Sequence, residues 1–204
     1  MRLFVAVWPP ADVVEQIAAL PRPEVAGLRW ARPDQWHVTL RFLGAVAGGD
    51  LAAVVAALGA VHIDGPVGAT AGPTVGRFGR RILHLPVDGL GGLAAAVVAA
   101  TRDIGEPPDD RPFRGHLTLA RATGRGTDLR PMTGATVAGE WEVVEMALVE
   151  SHLGGWCPSP RFAADRPVAS SAGRQGSAPN AKHASHPVRE GPRYEVVERF
   201  SLVG

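Results

Sequence analysis

The chain has 204 residues, a length that suits one domain or two small lobes and is sufficient to bury a core without disulfides. Apolar residues make up 46% and charged residues 20%, which excludes a wholly disordered chain. The formal net charge of +1 excludes a general positive field of the kind that holds long nucleic acid without sequence preference. Any nucleic-acid partner must therefore be held locally.

Hydrophobic periodicity predicts both helices and strands along the chain. In chain order the predicted elements are a strand over 2–8, a helix over 11–20, a strand over 36–43, a helix over 51–61 capped by Asp50, strands over 66–72 and 81–87, a helix over 90–104, and strands over 115–121, 140–150 and 194–202. Residues 72–79 are interpreted as a turn. Because helices and strands mix without strict βαβ alternation, we expect an α+β fold of antiparallel sheets with helices outside.

The segment 154–192 differs in composition from the rest of the chain. Gly, Pro, Ser and Ala account for 23 of its 39 residues, and it has no hydrophobic period. Such a segment cannot bury enough apolar surface to offset the entropy lost on ordering. We therefore expect a single domain over 1–204, interrupted by a disordered, solvated insertion at 154–192.

Cysteine content and hydropathy set the expected location. Cys157 is the sole cysteine, so no internal disulfide and no cysteine-based zinc site is expected. No run reaches the roughly 18 apolar residues that a membrane span needs. We expect a monomeric cytoplasmic protein that is not membrane-bound and uses neither a metal nor another cofactor.

The chemically informative feature is a repeated motif, His-x-Thr-Leu, at residues 37–40 and 116–119. Each copy lies in a predicted strand and follows a strand and a helix, so the two halves form an imperfect internal repeat. Residues i and i+2 of a strand point to the same face, so each copy presents one imidazole and one hydroxyl side by side. The sequence therefore predicts a site with two imidazoles and two hydroxyls.

Two imidazoles suit hydrolysis at phosphorus, which needs a base for the attacking water and an acid for the leaving oxygen. The hydroxyls would donate to phosphate oxygens as charge develops. A lone histidine on a strand is usually structural, and His84 is interpreted in that way, whereas the matched pair His37 and His116 favours catalysis. Arg41 shares the face of the first motif by alternation, and both a solvated or ion-paired role and a substrate contact stay open for it.

Several segments resemble the bacterial RNA 2′,3′-cyclic phosphodiesterases, also called 2′-5′ RNA ligases, which belong to the two-histidine (2H) phosphoesterases. The segments that carry the resemblance are residues 2–7, 36–44, 113–121 and 148–151, together with Tyr194 and residues 200–202. The resemblance covers residues 1–153 and 193–203. It implies a fold of two pseudo-symmetric lobes, each contributing one motif strand to a central cleft.

The resemblance also implies a reaction and residue roles. The terminal 2′,3′-cyclic phosphate of RNA, or of a nucleotide, would be opened to a 2′-phosphate and a free 3′-hydroxyl, a step in RNA processing. His37 would be the proton donor and His116 the proton acceptor. Thr39 and Thr118 would bind the phosphate. Arg121 would add a charge-assisted contact to it.

Strand geometry sets a condition on Arg121. In a regular strand the i+5 residue faces away from His116, so Arg121 reaches the cleft only if the strand ends or bulges there. Phe42 has the same offset from His37, and it would either pack in the core or stack on a base.

The chain departs from the family pattern at two places, Gly115, where homologues often have Pro, and the insertion at 154–192. Two alternative functions stay open. One is reversible, ATP-independent 2′-5′ ligation of RNA, and the other is a non-catalytic module that binds RNA ends.

Overall fold

The structure is a computed structural model and describes residues 1–123, 126–152 and 192–202. It divides into one unit made of Met1–Ser151 and Tyr194–Gly204 and a second made of His152–Arg193. Most of the second unit, and all of the predicted insertion except Pro192, lies outside the described residues. The single domain with a disordered insertion therefore stays a prediction.

The described residues form ten strands and three helices. The strands are β1 (Arg2–Val7), β2 (Leu28–Trp30), β3 (Val38–Ala45), β4 (Val67–Ala71), β5 (Gly76–Phe78), β6 (Ile82–Asp88), β7 (His116–Ala122), β8 (Gly139–Val143), β9 (Glu145–His152) and β10 (Arg193–Ser201), and the helices are α1 (Ala11–Ala18), α2 (Leu51–Gly59) and α3 (Gly91–Ala100). No helix in this part of the chain has the length and apolar character needed to cross a bilayer.

The strands form one antiparallel path in the order β10-β9-β1-β3-β7-β6-β4-β8, with β2 also paired to β7 and β5 to β6. This confirms the α+β class predicted from the sequence. The single strand predicted over 140–150 is wrong, because Val144 separates β8 from β9. These two strands lie near opposite ends of the path although one residue joins them, so the sheet must curl until its ends approach each other.

Three further expectations need correction or refinement. The turn predicted over 72–79 contains β5, and β2 is an additional strand that periodicity does not reveal. Both strands have only three residues, too few for a periodic pattern to stand out. Asp50 is the residue before α2, as predicted, but its side chain makes no capping hydrogen bond.

The main core lies between the back of the sheet and the helices. It contains Val13 of α1, Val54 of α2 and Val97 of α3. The helices are exchanged between the halves of the chain, because α1 contacts β8 and α3 contacts β3. At the first of these contacts, Gly139 of β8 leaves room for the Val13 side chain.

A β-bulge in β3 overturns the predicted orientation of Arg41. Val5 of β1 pairs with Arg41 and Ala6 pairs with Thr39, so Leu40 is an extra residue in β3. The bulge rotates Arg41 away from the Thr39 face and into the core, where it is 4% exposed. Of the roles considered from the sequence, a solvated arginine is therefore wrong, and burial on the core side of the sheet argues against a substrate contact.

The buried Arg41 instead joins β3 to the segment around α3. Its guanidinium donates hydrogen bonds to the carbonyl oxygens of Val98 at 2.9 Å, Ile104 at 3.2 Å and Glu106 at 3.2 Å. Burial lowers the pKa of Arg41, and the nearby Asp103 carboxylate opposes that change. An arginine stays charged in such surroundings, so these hydrogen bonds are charge-assisted.

We predict that Arg41→Ala lowers the free energy of unfolding by about 3 kcal/mol. The substitution removes the hydrogen bonds that the guanidinium donates to three carbonyl oxygens inside the protein. Urea unfolding followed by circular dichroism measures the change. Arg80→Ala, at an exposed arginine, is the matched control and should stay within about 0.5 kcal/mol of the wild type. Equal effects of the two substitutions would contradict a structural role for Arg41.

Candidate active site

The two motif strands meet at one antiparallel pair, Val38 of β3 opposite Leu117 of β7, and both side chains are buried in the core. In an antiparallel pair, the residues that flank such a position project from the opposite face of the sheet and lie beside each other. The histidine of each motif therefore lies next to the threonine of the other. The resulting pairs are His37 with Thr118 and Thr39 with His116.

The second motif strand has a bulge at the same motif position as the first. In the pairing of β7 with β6, Leu119 is the extra residue between Thr118 and Ala120. Leu119 and Ala120 are both buried, so the next residue, Arg121, turns to the face of Thr118. The strand thus meets the geometric condition under which Arg121 reaches the cleft.

Phe42 occupies in β3 the position that Arg121 occupies in β7. It pairs with Phe4 of β1, which places both rings on the cleft face. Phe42 is 37% exposed, and the guanidinium of Arg2 lies 4.7 Å from the centre of its ring. Of the two roles considered for Phe42, exposure on this face favours a surface contact over packing in the core.

His37 lies in a cage of aromatic side chains. Its ring centroid is 5.0 Å from that of Phe4, 5.4 Å from that of Trp8 and 4.9 Å from that of Tyr194. Phe4 and Trp8 come from the first strand and its end, whereas Tyr194 comes from the last strand. Residues from both ends of the chain therefore fix the position of this imidazole.

This cage changes the protonation of His37. Burial lowers the pKa of His37 from 6.5 to about 4, because the charged ring loses its hydration. The backbone of Gln35 opposes the change, while the charges of Arg121 and His116 add to it. Without a ligand, His37 is therefore neutral at physiological pH.

His116 is held in one tautomer. Its Nδ1 lies 2.8 Å from the carbonyl oxygen of Arg114. A carbonyl oxygen can only accept a hydrogen bond, so Nδ1 carries the proton of the neutral ring. The lone pair is then on Nε2, which is the arrangement that a general base requires.

One aromatic ring stands edge-on to each motif histidine. Tyr194 meets His37 with a centroid distance of 4.9 Å and an interplanar angle of 87°, and Phe78 meets His116 with 4.9 Å and 88°. Edge-on contacts of this kind restrict ring orientation. The two halves thus position their imidazoles in the same way, although the aromatic residues come from unrelated parts of the sequence.

His84 lies beside the second motif. The sequence predicts only an isolated structural histidine at this position. It pairs with Thr118 across β6 and β7, and its ring is stacked on Phe78 at 3.8 Å and lies 5.8 Å from that of His116. It is 8% exposed, and burial lowers its pKa to about 4, with the charge of His116 as the second cause. Alternation along 81–87 was the available signal, but only the pairing with β7 reveals which face His84 occupies.

Arg29 is a second basic residue of the site that the sequence did not reveal. Strand β2 places it directly opposite Arg121. Burial raises the pKa of Tyr194, and the charges of Arg121 and Arg29 oppose that increase. Arg29 and Arg121 thus place two guanidinium groups on neighbouring strands near Tyr194, and such groups make charge-assisted hydrogen bonds to anions.

The arrangement combines acid–base groups with groups that bind anions. Two imidazoles in unlike surroundings, two hydroxyls and two guanidiniums share one face, which suits transfer of protons around a phosphate. Among the described residues, no group of three or more His, Cys, Asp or Glu side chains is placed to hold a metal ion.

Comparisons with known proteins identify related families and folds. Residues 7–67, which include the first motif, match the family model "LigT like Phosphoesterase". No curated protein matches the sequence significantly.

Several solved structures are similar over nearly the whole chain. The crystal structure of TT0787 of Thermus thermophilus has a TM-score of 0.66 and 27% sequence identity, and the match covers 100% of this chain and 99% of that one. The crystal structure of E. coli LigT complexed with 3′-AMP has a TM-score of 0.63 and 25% identity, with 100% and 98% covered. A further crystal structure, described as a phosphoesterase, has a TM-score of 0.63 and 26% identity, with 98% and 97% covered.

The burial of His37 among aromatic rings predicts how its imidazole titrates. In NMR titrations, His37 should titrate with a pKa of about 4, and Phe4→Ala should raise that value towards 6.5 because it lets water reach the ring. Phe78→Ala, which removes an aromatic ring from the other half, is the matched control and should leave the pKa of His37 unchanged. A His37 resonance that titrates near 6.5 in the wild type would contradict the role of burial.

Proposed function

The chain belongs to the LigT-like phosphoesterase family, and from this premise we propose that it opens the terminal 2′,3′-cyclic phosphate of RNA. The products would be a 2′-phosphate and a free 3′-hydroxyl. His37 is the proton donor and His116 the proton acceptor in this proposal. The observation that carries it is that the register of β3 and β7 brings both His-x-Thr motifs to one face.

The reaction is an in-line displacement at phosphorus. Nε2 of His116 takes a proton from water while the water oxygen forms a bond to phosphorus. The bond between phosphorus and the 3′-oxygen breaks, and His37 donates a proton to that oxygen. The phosphate remains on the 2′-oxygen, so atoms and charge balance without another reactant.

Five side chains hold the substrate in this proposal. The hydroxyls of Thr39 and Thr118 donate to the non-bridging oxygens, where negative charge builds up. Arg121 makes a charge-assisted contact to the same phosphate, and Arg29 supports it from the neighbouring strand. Phe42, exposed on the cleft face, stacks on the base.

The low pKa of His37 has a consequence for the order of events. A proton donor must be protonated, whereas the ligand-free His37 is neutral above about pH 4. A bound phosphate brings negative charge beside the ring and favours the imidazolium form. Binding therefore prepares the donor, and the hydrogen bond from Nδ1 of His116 to the Arg114 carbonyl oxygen leaves Nε2 as the atom that accepts a proton.

The similar structures support a nucleotide-like substrate, since one is E. coli LigT complexed with 3′-AMP. A monomeric state and a cytoplasmic location stay predictions from the sequence.

The test is hydrolysis of an RNA oligonucleotide that ends in a 2′,3′-cyclic phosphate, in the presence of EDTA. We expect a 2′-phosphate product, and we expect His37→Ala and His116→Ala each to lower kcat by about 10²- to 10⁴-fold. His62→Ala is the matched control, because this imidazole is exposed and lies 3.6 Å from the exposed carboxylate of Asp64.

The outcome also separates the enzyme from a binding module. Binding of the oligonucleotide without any product would support a module, and a 3′-phosphate product would overturn the assigned direction of ring opening. Normal rates in both histidine variants would overturn the assignment of the catalytic pair.

A second prediction tests the proposed donor. In an NMR titration with saturating 3′-AMP, the pKa of His37 should lie above the ligand-free value of about 4, because phosphate stabilises the charged ring. The change should be absent with adenosine, which lacks the phosphate. A pKa of His37 that does not move with 3′-AMP would argue against His37 as the proton donor.

A further inference from the structure

Arg29 lies one row beyond the two motifs on the cleft face. In the register of β2 with β7 it stands directly opposite Arg121. Because Leu119 is an extra residue in β7, Arg121 is only two regular positions beyond Thr118, a rise of about 7 Å along the strand. Arg29 and Arg121 therefore form the row that follows the row of His37 and Thr118.

The charges of the two guanidiniums act on different groups. Burial lowers the pKa of His37, and the charge of Arg121 adds to that change. Burial raises the pKa of Tyr194, and the charges of Arg121 and Arg29 both oppose that change. Since the effect of a charge weakens with distance, Arg121 is nearer to His37 and Arg29 stands one step further from the reacting centre.

Arg29 and His37 lie along the same edge of β7. Strands β2 and β3 both pair with this edge, because β6 occupies the other one. Ala31, in the segment between β2 and β3, donates a hydrogen bond from its N–H to the carbonyl oxygen of Leu119 at 2.8 Å. His37 directly precedes β3, so Arg29 is on the side of the cleft that serves the leaving oxygen.

The order of atoms in ribose indicates which part of an RNA extends from that side. The leaving 3′-oxygen is bonded to C3′, and the neighbouring C4′ carries the 5′-carbon. In an oligonucleotide, the 5′-carbon bears the phosphodiester to the preceding nucleotide, whereas the base is on C1′, beyond C2′. With the 3′-oxygen at His37, the next charged group of the substrate is therefore this phosphodiester.

We propose that Arg29 binds the phosphodiester on the 5′ side of the terminal nucleotide, so that oligonucleotides are preferred to cyclic mononucleotides. The proposal rests on the proposed function and adds a subsite to it. Arg121 contacts the reacting phosphate and Arg29 the next phosphate of the strand. The rise of about 7 Å between the two rows is close to the spacing of successive phosphates in RNA. Arg29 is half-buried, so salt screens its charge less than that of an exposed arginine.

The experiment compares kcat/KM for three substrates that end in a 2′,3′-cyclic phosphate. They are the adenosine mononucleotide, the dinucleotide ApA and an ApA whose internucleotide linkage is an uncharged methylphosphonate. We expect the charged dinucleotide to exceed the mononucleotide about tenfold or more, as expected for one hydrogen bond to a charged group. The methylphosphonate should lose most of this advantage, because it retains the second nucleoside but not the charge.

Variants of Arg29 test which residue reads the charge. Arg29→Gln should lower the ratio of kcat/KM for the charged dinucleotide to that for the mononucleotide about tenfold, and Arg29→Lys should retain part of it. Arg102→Gln is the matched control and should leave the ratio unchanged, because Arg102 is exposed just beyond α3, on the helix side of the sheet. Thermal unfolding of each variant checks that it is folded.

Binding without turnover is measured by isothermal titration calorimetry with 3′-AMP and with adenosine 3′,5′-bisphosphate. The wild type should bind the bisphosphate more tightly, and Arg29→Gln should remove the difference. Added salt should reduce the difference in the wild type, because part of it is Coulombic.

Two results would overturn the proposal. One is equal kcat/KM for the charged and the methylphosphonate dinucleotides. The other is a loss by the same factor for all three substrates in Arg29→Gln, which would assign Arg29 to the reacting phosphate alone. If the wild type opens none of the substrates, the proposed function fails instead, and the calorimetry still decides whether Arg29 provides a second phosphate site.

Discussion

One extra residue after the threonine of each motif determines which side chains face the cleft. Leu40 in β3 and Leu119 in β7 interrupt the alternation at equivalent positions. Without these bulges, a guanidinium would enter the cleft from β3 and none would enter from β7. With them, Arg41 anchors the core and Arg121 faces the cleft. The location of positive charge therefore depends on backbone register as well as on the presence of arginine.

The second constraint is the unequal environment of two imidazoles in nearly equivalent strands. The position next to Thr39 on the neighbouring strand is Ala6, whereas the position next to Thr118 is His84. His37 is enclosed by aromatic rings and loses its charge, while His116 is oriented by a backbone carbonyl. Approximate symmetry thus supplies the two groups, and the surrounding side chains place them in different environments.

Much of the fold follows from local patterns, because apolar alternation and helical periodicity are properties of short segments. The motif strands and the three helices were predicted within a few residues. The faces of Arg41 and Arg121 required knowledge of pairing between distant strands, and so did the proximity of His84 to His116. Arg29 was missed because β2 is too short to show a period. Local sequence thus identifies the groups, but long-range register brings them together.

The exchange of helices between the halves has a consequence for the origin of the repeat. Helix α1 of the first half covers β8, and α3 of the second half covers β3. A polypeptide equal to one half would lack one of the helices that cover its sheet, and a second copy could supply it. If the repeat arose by gene duplication, an intertwined dimer would have given the ancestral half these same helix contacts, and fusion would have made them permanent. A cleft lined by one motif from each copy would then have existed before the fusion.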